Sequence, residues 1–228
     1  MKTILVALSH PDDEVGCAGT IALHAARGDR VVLLWLTRGG MTEALGRLPY
    51  EEVARLRTEH GEEAARILGA EPRFMEFRDT RVEATVDAAY EVARVVAEVR
   101  PDAVLTWGDA WVRGPRHPDH QATGKIVRDA VTLARIGGVV APLTPHREPA
   151  PIFTLRDVHS HLPARVVDVT PVVDKIFELG RFYAERIGWP DADWLRRRLA
   201  DAGAEWGVQA AEVFDAWETP GGIGETLI

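Results

Sequence analysis

The sequence predicts a doubly wound α/β fold, in which helices cover both faces of a mostly parallel sheet. Two observations lead to this prediction. Strand-like and helix-like segments alternate through the first 135 residues, and such alternation is typical of parallel βαβ units. The early strands are also continuous apolar runs, such as TILVAL at residues 3–8. Strands of this kind are buried on both faces, as parallel sheets between helices are.

Apolar runs and helical periodicity give the remaining elements in chain order. Strands are predicted at residues 3–8, 30–37, 73–77, 103–107, 151–158 and 164–169. Helices are predicted at residues 14–27, 50–68, 83–99, 119–135 and 170–187, with further helices near 191–202 and 204–216. We therefore expect one Rossmann-like domain over residues 1–190, and a helical C-terminal extension of the same domain over residues 191–228.

Composition and charge narrow the functional classes. The 228 residues are 46% hydrophobic and 27% charged, which is typical of one ordinary globular domain. The formal net charge of −8 argues against a general nucleic-acid binder, which carries a basic face. The single cysteine, Cys17, excludes an internal disulfide framework and is typical of a reducing compartment. Apolar runs are shorter than the roughly 20 residues of a membrane span, so we expect a cytoplasmic protein without a membrane span.

Three polar loops follow predicted strands. SHPDDE follows the first strand, TRGG follows the second, and WGDAWVRGPRHPDH follows the fourth. In an open α/β sheet, ligands bind beyond the carboxyl ends of the strands. These loops are therefore expected to meet in one crevice and to form an active site.

The first loop, HPDDE, has two interpretations. Asp12 or Asp13 would cap the following helix, and Glu14 in the first turn would suit the helix dipole. Capping accounts for one carboxylate but not for His10 or for the second acid. Adjacent carboxylates are costly unless a cation lies near. The motif therefore favours His10 and Asp13 as imidazole and carboxylate ligands of a metal.

The second motif, HPDH, repeats this design at a loop-to-helix junction. A catalytic zinc ion needs three protein ligands and one open position. Either His117 or His120, added to His10 and Asp13, completes such a set. The spacing alone leaves open which histidine binds, and the alternative is that both are surface histidines.

Together these motifs resemble the PIG-L/LmbE family of zinc-dependent N-acetylglucosaminyl deacetylases. The resemblance lies in HPDDEVGCAGT, LTRGG, HPDHQATG and VVDVTPVVDKIFEL, and covers about residues 1–180. It implies a hydrolase that removes acetyl from a small-molecule amino-sugar substrate with Zn²⁺, Fe²⁺ or another divalent metal, and a possible homo-oligomer. The roles that it implies are metal ligation by His10, Asp13 and His120, general-base catalysis by Asp12, oxyanion stabilisation by His117 with Asp119 beside it, and sugar binding by Arg57 and Asp79.

Three positions depart from the family pattern around the expected substrate. His60 stands where a glutamate is expected, Gly40 replaces another glutamate, and Arg116 lies where some members carry a tyrosine. Arg38 and Arg116 would make the crevice more positive, which leads to the hypothesis of an anionic aglycone such as malate or phosphate.

Three other functions are compatible with parts of the sequence. One is a metal-dependent amidase with a different N-acyl substrate. Another is a nucleotide-binding domain, although the sequence lacks a GxGxxG motif after the first strand. The third is a metal-binding protein without hydrolase activity. Asp12 and His117 count against it, since metal storage needs neither.

Overall fold

The computed structural model describes residues 1–108, 117–157, 159–190 and 192–228. The strands are β1 (Thr3–Leu8), β2 (Arg30–Thr37), β3 (Glu71–Phe77), β4 (Ala103–Trp107), β5 (Ile152–Leu155), β6 (Ala164–Asp168), β7 (Ala211–Ala216) and β8 (Gly222–Gly224). The helices are α1 (Ala18–Ala26), α2 (Tyr50–Leu68), α3 (Val86–Val99), α4 (Pro118–Leu133), α5 (Gly137–Val140), α6 (Val173–Ile187) and α7 (Asp193–Ala204). In these ranges no helix has the length and apolar character needed to cross a membrane.

The strands form one mixed sheet in the order β3-β2-β1-β4-β5-β7-β6-β8. Strands β1 to β5 pair in parallel, whereas β7 runs antiparallel between β5 and β6. This mostly parallel sheet flanked by helices confirms the predicted fold class. The strand order reverses at β1, because β2 and β4 lie on its two sides. A ligand crevice is therefore expected at the carboxyl ends of β1 and β4.

The core consists of two apolar layers, one on each face of the sheet. Alternate residues of β1 supply both: Ile4, Val6 and Leu8 pack in the layer under α1, α2 and α6, while Leu5 and Ala7 pack in the layer under α3 and α4. Burying one such large side chain contributes about 1.5–3 kcal/mol relative to leaving it in water. Burial on both faces explains why the sequence of β1 is an unbroken apolar run.

The chain after β1 differs from the single helix predicted for residues 14–27. A short 3₁₀ turn spans Asp13–Gly16, and α1 begins only at Ala18. The interruption lies at Cys17, which has a non-helical φ of −143°. The turn before it begins after Asp12, which has a left-handed φ of 101°. This irregular turn directs the side chains of the HPDDE motif toward the end of the sheet instead of into a regular helix.

The predicted helix near residues 204–216 is wrong. Helix α7 ends at Ala204, and residues 211–216 form β7, which lies inside the sheet. Alanine and glutamate favour a helix in isolation, but here pairing with β5 and β6 and burial of Phe214 outweigh that propensity. The C-terminal residues are therefore not a purely helical extension. The division of the domain after residue 190 stays a prediction.

A side chain of β7 also caps α1, the helix that follows the first motif. The Glu212 carboxylate accepts hydrogen bonds from Gly19 N (2.8 Å), Thr20 N (2.8 Å) and Thr20 Oγ1 (2.7 Å). An anionic group at a helix N-terminus satisfies unpaired N–H groups and suits the helix dipole. A residue near the end of the chain thus fixes the helix that begins behind the site.

Helix α4 lies unusually close to β4 at Gly124. A Cβ atom added there would lie 2.3 Å from the carbonyl oxygen of Trp107. We expect Gly124→Ala to lower the free energy of unfolding by about 1–3 kcal/mol, because backbone atoms cannot move aside cheaply. Urea unfolding followed by circular dichroism measures this difference.

Gly138→Ala is the matched control, since nothing lies within 4 Å of an added Cβ at Gly138. Its free energy of unfolding is expected to stay within about 0.5 kcal/mol of the wild-type value. Equal stabilities of the two variants would contradict the close approach of α4 to β4.

Candidate active site

Residues that follow β1, β2 and β3 meet the N-terminal end of α4 at one end of the sheet. They surround a cavity of about 380 Å³. Its lining residues are His10, Asp12, Asp13, Gly39, Met41, Thr42, Arg57, Asp79, Thr80, His117 and His120. The structure thus brings the two His-Pro-Asp motifs, which lie about a hundred residues apart in the chain, into one site.

His10 lies at the centre of the carboxylates. Its Nε2 is 3.1 Å from Asp119 Oδ2 and 3.2 Å from Asp79 Oδ1, and its Nδ1 is 3.7 Å from Asp13 Oδ2. Burial alone would lower the pKa of His10, but hydrogen bonds to Asp119 and Asp79 and the charge of Asp13 outweigh it and raise the pKa to about 10. The three carboxylates around His10 make this end of the sheet favourable for positive charge.

Asp13 links His10 to His120. Its Oδ2 accepts hydrogen bonds from Ser9 N (3.0 Å) and His10 N (2.9 Å), and its Oδ1 lies 3.2 Å from His120 Nε2. Burial opposes the charge of Asp13, but His120 and His10 outweigh burial and lower its pKa to about 2. Asp13 is therefore ionised at neutral pH. The His120 ring stacks on Trp107 with centroids 3.9 Å apart, which fixes its orientation.

His117 is the N-cap of α4. Its Nδ1 accepts a hydrogen bond from Asp119 N (3.3 Å), so in the neutral ring the proton belongs on Nε2. Burial and the neighbouring charge of His10 lower the pKa of His117. Asp119 itself is buried, and its carboxylate accepts hydrogen bonds from Thr80 N (2.8 Å) and Val82 N (3.3 Å). The Asp119 carboxylate lies nearer to His10 (3.1 Å) than to His117 (3.9 Å).

The donor atoms of this cluster suit a divalent metal. Among the described residues, one donor atom from each of His10, His117 and His120 lies within 4.8 Å of the others, and a second such group comprises His10, Asp79, His117 and Asp119. Asp13, the carboxylate of the predicted ligand set, contacts both His10 and His120. Imidazole and carboxylate donors together are typical ligands of zinc and ferrous iron. The structure therefore contains a His/Asp cluster suited to a metal.

Asp12 lies beside the cluster in a restrained position. Its left-handed backbone is held by a hydrogen bond from Asp12 N to Glu14 Oε2 (2.9 Å). Arg57 Nη2 donates to Asp12 Oδ2 (2.7 Å) and also to the carbonyl oxygen of Pro11. Burial raises the pKa of Asp12 to about 8, although the charge of Arg57 opposes that rise. Non-glycine residues with positive φ are costly and cluster at functional sites.

Glu14 connects this turn to the core by hydrogen bonds, a role that the sequence did not predict. Its fully buried carboxylate accepts hydrogen bonds from Trp35 Nε1 (3.1 Å) and the Tyr183 hydroxyl (2.5 Å), besides Asp12 N. Glu14 is visible in the motif, but nothing in the sequence pairs it with residues of β2 and α6. The turn that carries Asp12 is thus held by β2 and α6 through Glu14, and by α2 through Arg57.

The predicted substrate-binding residues have different positions. Asp79 and Arg57 line the cavity, and Asp79 Oδ2 also accepts a hydrogen bond from Met41 N (2.8 Å). Arg38 instead lines a separate surface hollow. It pairs with Glu76 (2.6 Å), and the structure does not bring it to the cluster. Arg116 lies outside the described residues. Substrate contacts by these four side chains stay predictions.

The fold and the cluster define an α/β protein with a candidate metal centre at the point where the strand order reverses. A family model described as PIG-L: GlcNAc-PI de-N-acetylase matches residues 5–131, more than half of the chain. The chain belongs to this PIG-L family, as its motifs predicted.

Two curated relatives are informative. A diacetylchitobiose deacetylase of Thermococcus kodakarensis is 32% identical over 181 residues, which cover 76% of this chain and 66% of that protein. A probable N-acetyl-alpha-D-glucosaminyl L-malate deacetylase 2 of Bacillus anthracis is 28% identical over 215 residues, which cover 86% of this chain and 92% of that protein.

Solved structures show the same fold over nearly the whole chain. An N,N'-diacetylchitobiose deacetylase from Pyrococcus horikoshii superposes with a TM-score of 0.83 at 26% identity, covering 95% of this chain and 84% of that one. The 4-carboxy-2-hydroxymuconate hydratase of Pseudomonas putida superposes with a TM-score of 0.79 at 25% identity, covering 96% and 97%. Proteins with this fold therefore include a hydratase as well as deacetylases.

Proposed function

We propose that this protein is a metal-dependent N-deacetylase that hydrolyses the acetamide of a small molecule containing N-acetylglucosamine. One observation carries the proposal: Asp12 and His117, a candidate base and a candidate oxyanion donor, line the same cavity as the His/Asp cluster. Likeness to the two named deacetylases supports the substrate class.

In this proposal His10, Asp13 and His120 hold the metal, with zinc as the proposed ion. Ferrous iron suits the same imidazole and carboxylate donors. A divalent ion held there would polarise the acetamide carbonyl and make the attacking water more acidic.

Asp12 takes the proton of the attacking water. Arg57 and Glu14 hold it rigidly beside the cluster, so its carboxylate needs little reorganisation. Its pKa of about 8 applies to the cluster without a metal. Nearby positive charge favours the ionised carboxylate, so metal binding would lower this pKa and make Asp12 an available base at neutral pH.

His117 stabilises the oxyanion. Because its Nδ1 accepts a hydrogen bond from Asp119 N, its Nε2–H is left to donate to the oxyanion. Asp12 passes the proton that it took from the water to the leaving amine. The water oxygen bonds to the carbonyl carbon, the C–N bond breaks, and the amine nitrogen takes a proton. Acetate and a free amino sugar leave in equal amounts.

The polar side of the cavity is suited to sugar hydroxyls. It carries Thr42, Thr80, Asp79 and Arg57. The Nε atom of Arg57 is buried and has no hydrogen-bond partner among the described residues. A buried donor of this kind is costly unless a partner arrives, and a substrate hydroxyl would supply one.

The test is release of primary amine and acetate from a panel of N-acetylglucosaminides. Zinc-loaded protein is expected to release both products in equal amounts, and chelation is expected to abolish release until zinc is restored. If zinc-loaded protein released no amine from any compound of the panel, the proposed deacetylase activity would be contradicted. Another N-acyl substrate or a hydration reaction would then be favoured. If the protein bound no metal and released no amine, the HPDDE carboxylates would have only structural roles, such as the hydrogen bonds that Asp13 and Glu14 accept from backbone N–H groups.

A further inference from the structure

A second cavity of about 490 Å³ adjoins the polar one. Asp12, Asp13 and His120 line both cavities and so form a shared wall between them. The proposed reaction takes place at this wall. A substrate bound there therefore has access to both cavities at once.

The second cavity is apolar, in contrast to the first. Its apolar lining consists of Val15, Trp107, Leu155, Trp189, Trp194 and Val213. Arg156 also lines it, but its guanidinium is paired with the buried Asp215 carboxylate. Arg198 lies at the exposed edge and donates to Gly16 O (3.2 Å). Much of the lining therefore suits hydrocarbon rather than a hydroxylated sugar.

The aromatic side chains of this lining are held in place by other rings. The Trp189 ring lies 5.6 Å from Trp194 and 5.9 Å from the fully buried Tyr183, centroid to centroid. On the opposite side, Trp107 stacks on His120. Rings packed in this way lose little conformational entropy when a ligand binds against them.

An amide substrate has two halves on either side of its carbonyl carbon. If the sugar half occupies the polar cavity, as proposed above, and the carbonyl lies at the shared wall, the acyl half extends across the wall. We propose that the apolar cavity binds this acyl half, and that the substrates of this protein include N-acyl amino sugars with chains longer than acetyl. The inference rests on the proposed function. An acetyl methyl group would leave most of such a cavity unfilled.

The reaction keeps the same balance with a longer chain. The water oxygen bonds to the carbonyl carbon, the C–N bond breaks, the amine takes a proton, and a short fatty carboxylate leaves. Each methylene group buried in the apolar cavity would strengthen binding by about fourfold.

The first experiment compares kcat/KM for N-acetyl, N-butyryl and N-hexanoyl derivatives of one glucosamine glycoside, by amine release. The N-hexanoyl compound is expected to equal or exceed the N-acetyl value, because each added methylene group gains apolar burial, whereas a site without room for the chain rejects it. A lower value would overturn the acyl cavity while leaving the deacetylase intact. If no compound released amine, including the N-acetyl compound, the proposed function itself would be rejected.

The second experiment narrows the cavity with Val213→Phe, a change that β7 tolerates as a strand. It is expected to lower the ratio of N-hexanoyl to N-acetyl kcat/KM by about tenfold or more. Val86→Phe, at an exposed position of α3, is the matched control and is expected to leave the ratio unchanged. An unchanged ratio in Val213→Phe would overturn the proposal.

A third series separates the acyl chain from the aglycone. It keeps the N-acetyl group and lengthens an alkyl group on the anomeric oxygen. Val213→Phe is expected to affect this series less than the N-acyl series. A larger effect on the alkyl glycosides would assign the apolar cavity to the aglycone and overturn the acyl assignment.

Discussion

Asp12→Asn is expected to lower kcat by about 10²–10⁴-fold on the best N-acetylglucosaminide, the range for loss of a positioned general base. The amide of asparagine cannot take a proton from water. Its shape preserves a hydrogen-bond acceptor for Arg57, so the turn should remain in place. Steady-state amine release together with metal analysis of the purified variant measures the effect.

Asp102→Asn is the matched control, because it makes the same chemical change at the opposite end of the sheet, where Asp102 pairs with Lys2. Its kcat is expected to equal that of the wild type. If Asp12→Asn retained more than about one tenth of wild-type kcat with full metal content, another group would have to be the base.

Glu14→Ala is expected to lower the free energy of unfolding by about 3–5 kcal/mol, as removal of one partner from a buried charged network does. The substitution leaves Asp12 N, Trp35 Nε1 and the Tyr183 hydroxyl without their common acceptor. It also creates a void where the carboxylate lay. Urea unfolding of the variant and the wild type, monitored by two spectroscopic probes, gives the difference.

Glu59→Ala provides the comparison, because Glu59 forms an exposed pair with Arg55 on α2. Surface pairs of this kind contribute about 0–1 kcal/mol. Equal losses of unfolding free energy in the two variants would contradict the role of Glu14 as an anchor.

The milder Glu14→Gln variant is expected to fold and to show a reduced kcat, because the turn that holds Asp12 is weakened.

The parallel half of the fold was predictable because its strands are buried on both faces. An unbroken apolar run such as β2 is a strong local signal, and the helices between such runs carry clear periodicity. The convergence of the polar loops then followed from a general property of parallel sheets. Strong local patterns and one topological rule were sufficient to place the HPDDE and HPDH motifs together. The choice of His120 rather than His117 as a metal ligand came from the family resemblance and stays a prediction.

The remaining features depend on contacts between distant segments, which no local pattern reveals. The sequence of β7 favours a helix, and only its pairing with β5 and β6 makes it a strand. Arg38 follows β2 as predicted, yet its side chain turns to Glu76 on β3 rather than to the cavity. Likewise, the hydrogen bond of Tyr183 to Glu14 joins residues 169 positions apart.

The carboxylate of Glu212 has a consequence for the order in which the protein matures on the ribosome. Residues 5–131, which match the family model, contain both His-Pro-Asp motifs and are synthesised first. The N-terminus of α1 nevertheless receives its cap from a residue 193 positions after Gly19. A nascent chain halted before β7 would therefore expose uncapped amide groups and an unpaired strand edge beside the nascent site, and such edges invite aggregation. We expect the site to become competent only after β7 has been synthesised and has paired with β5 and β6.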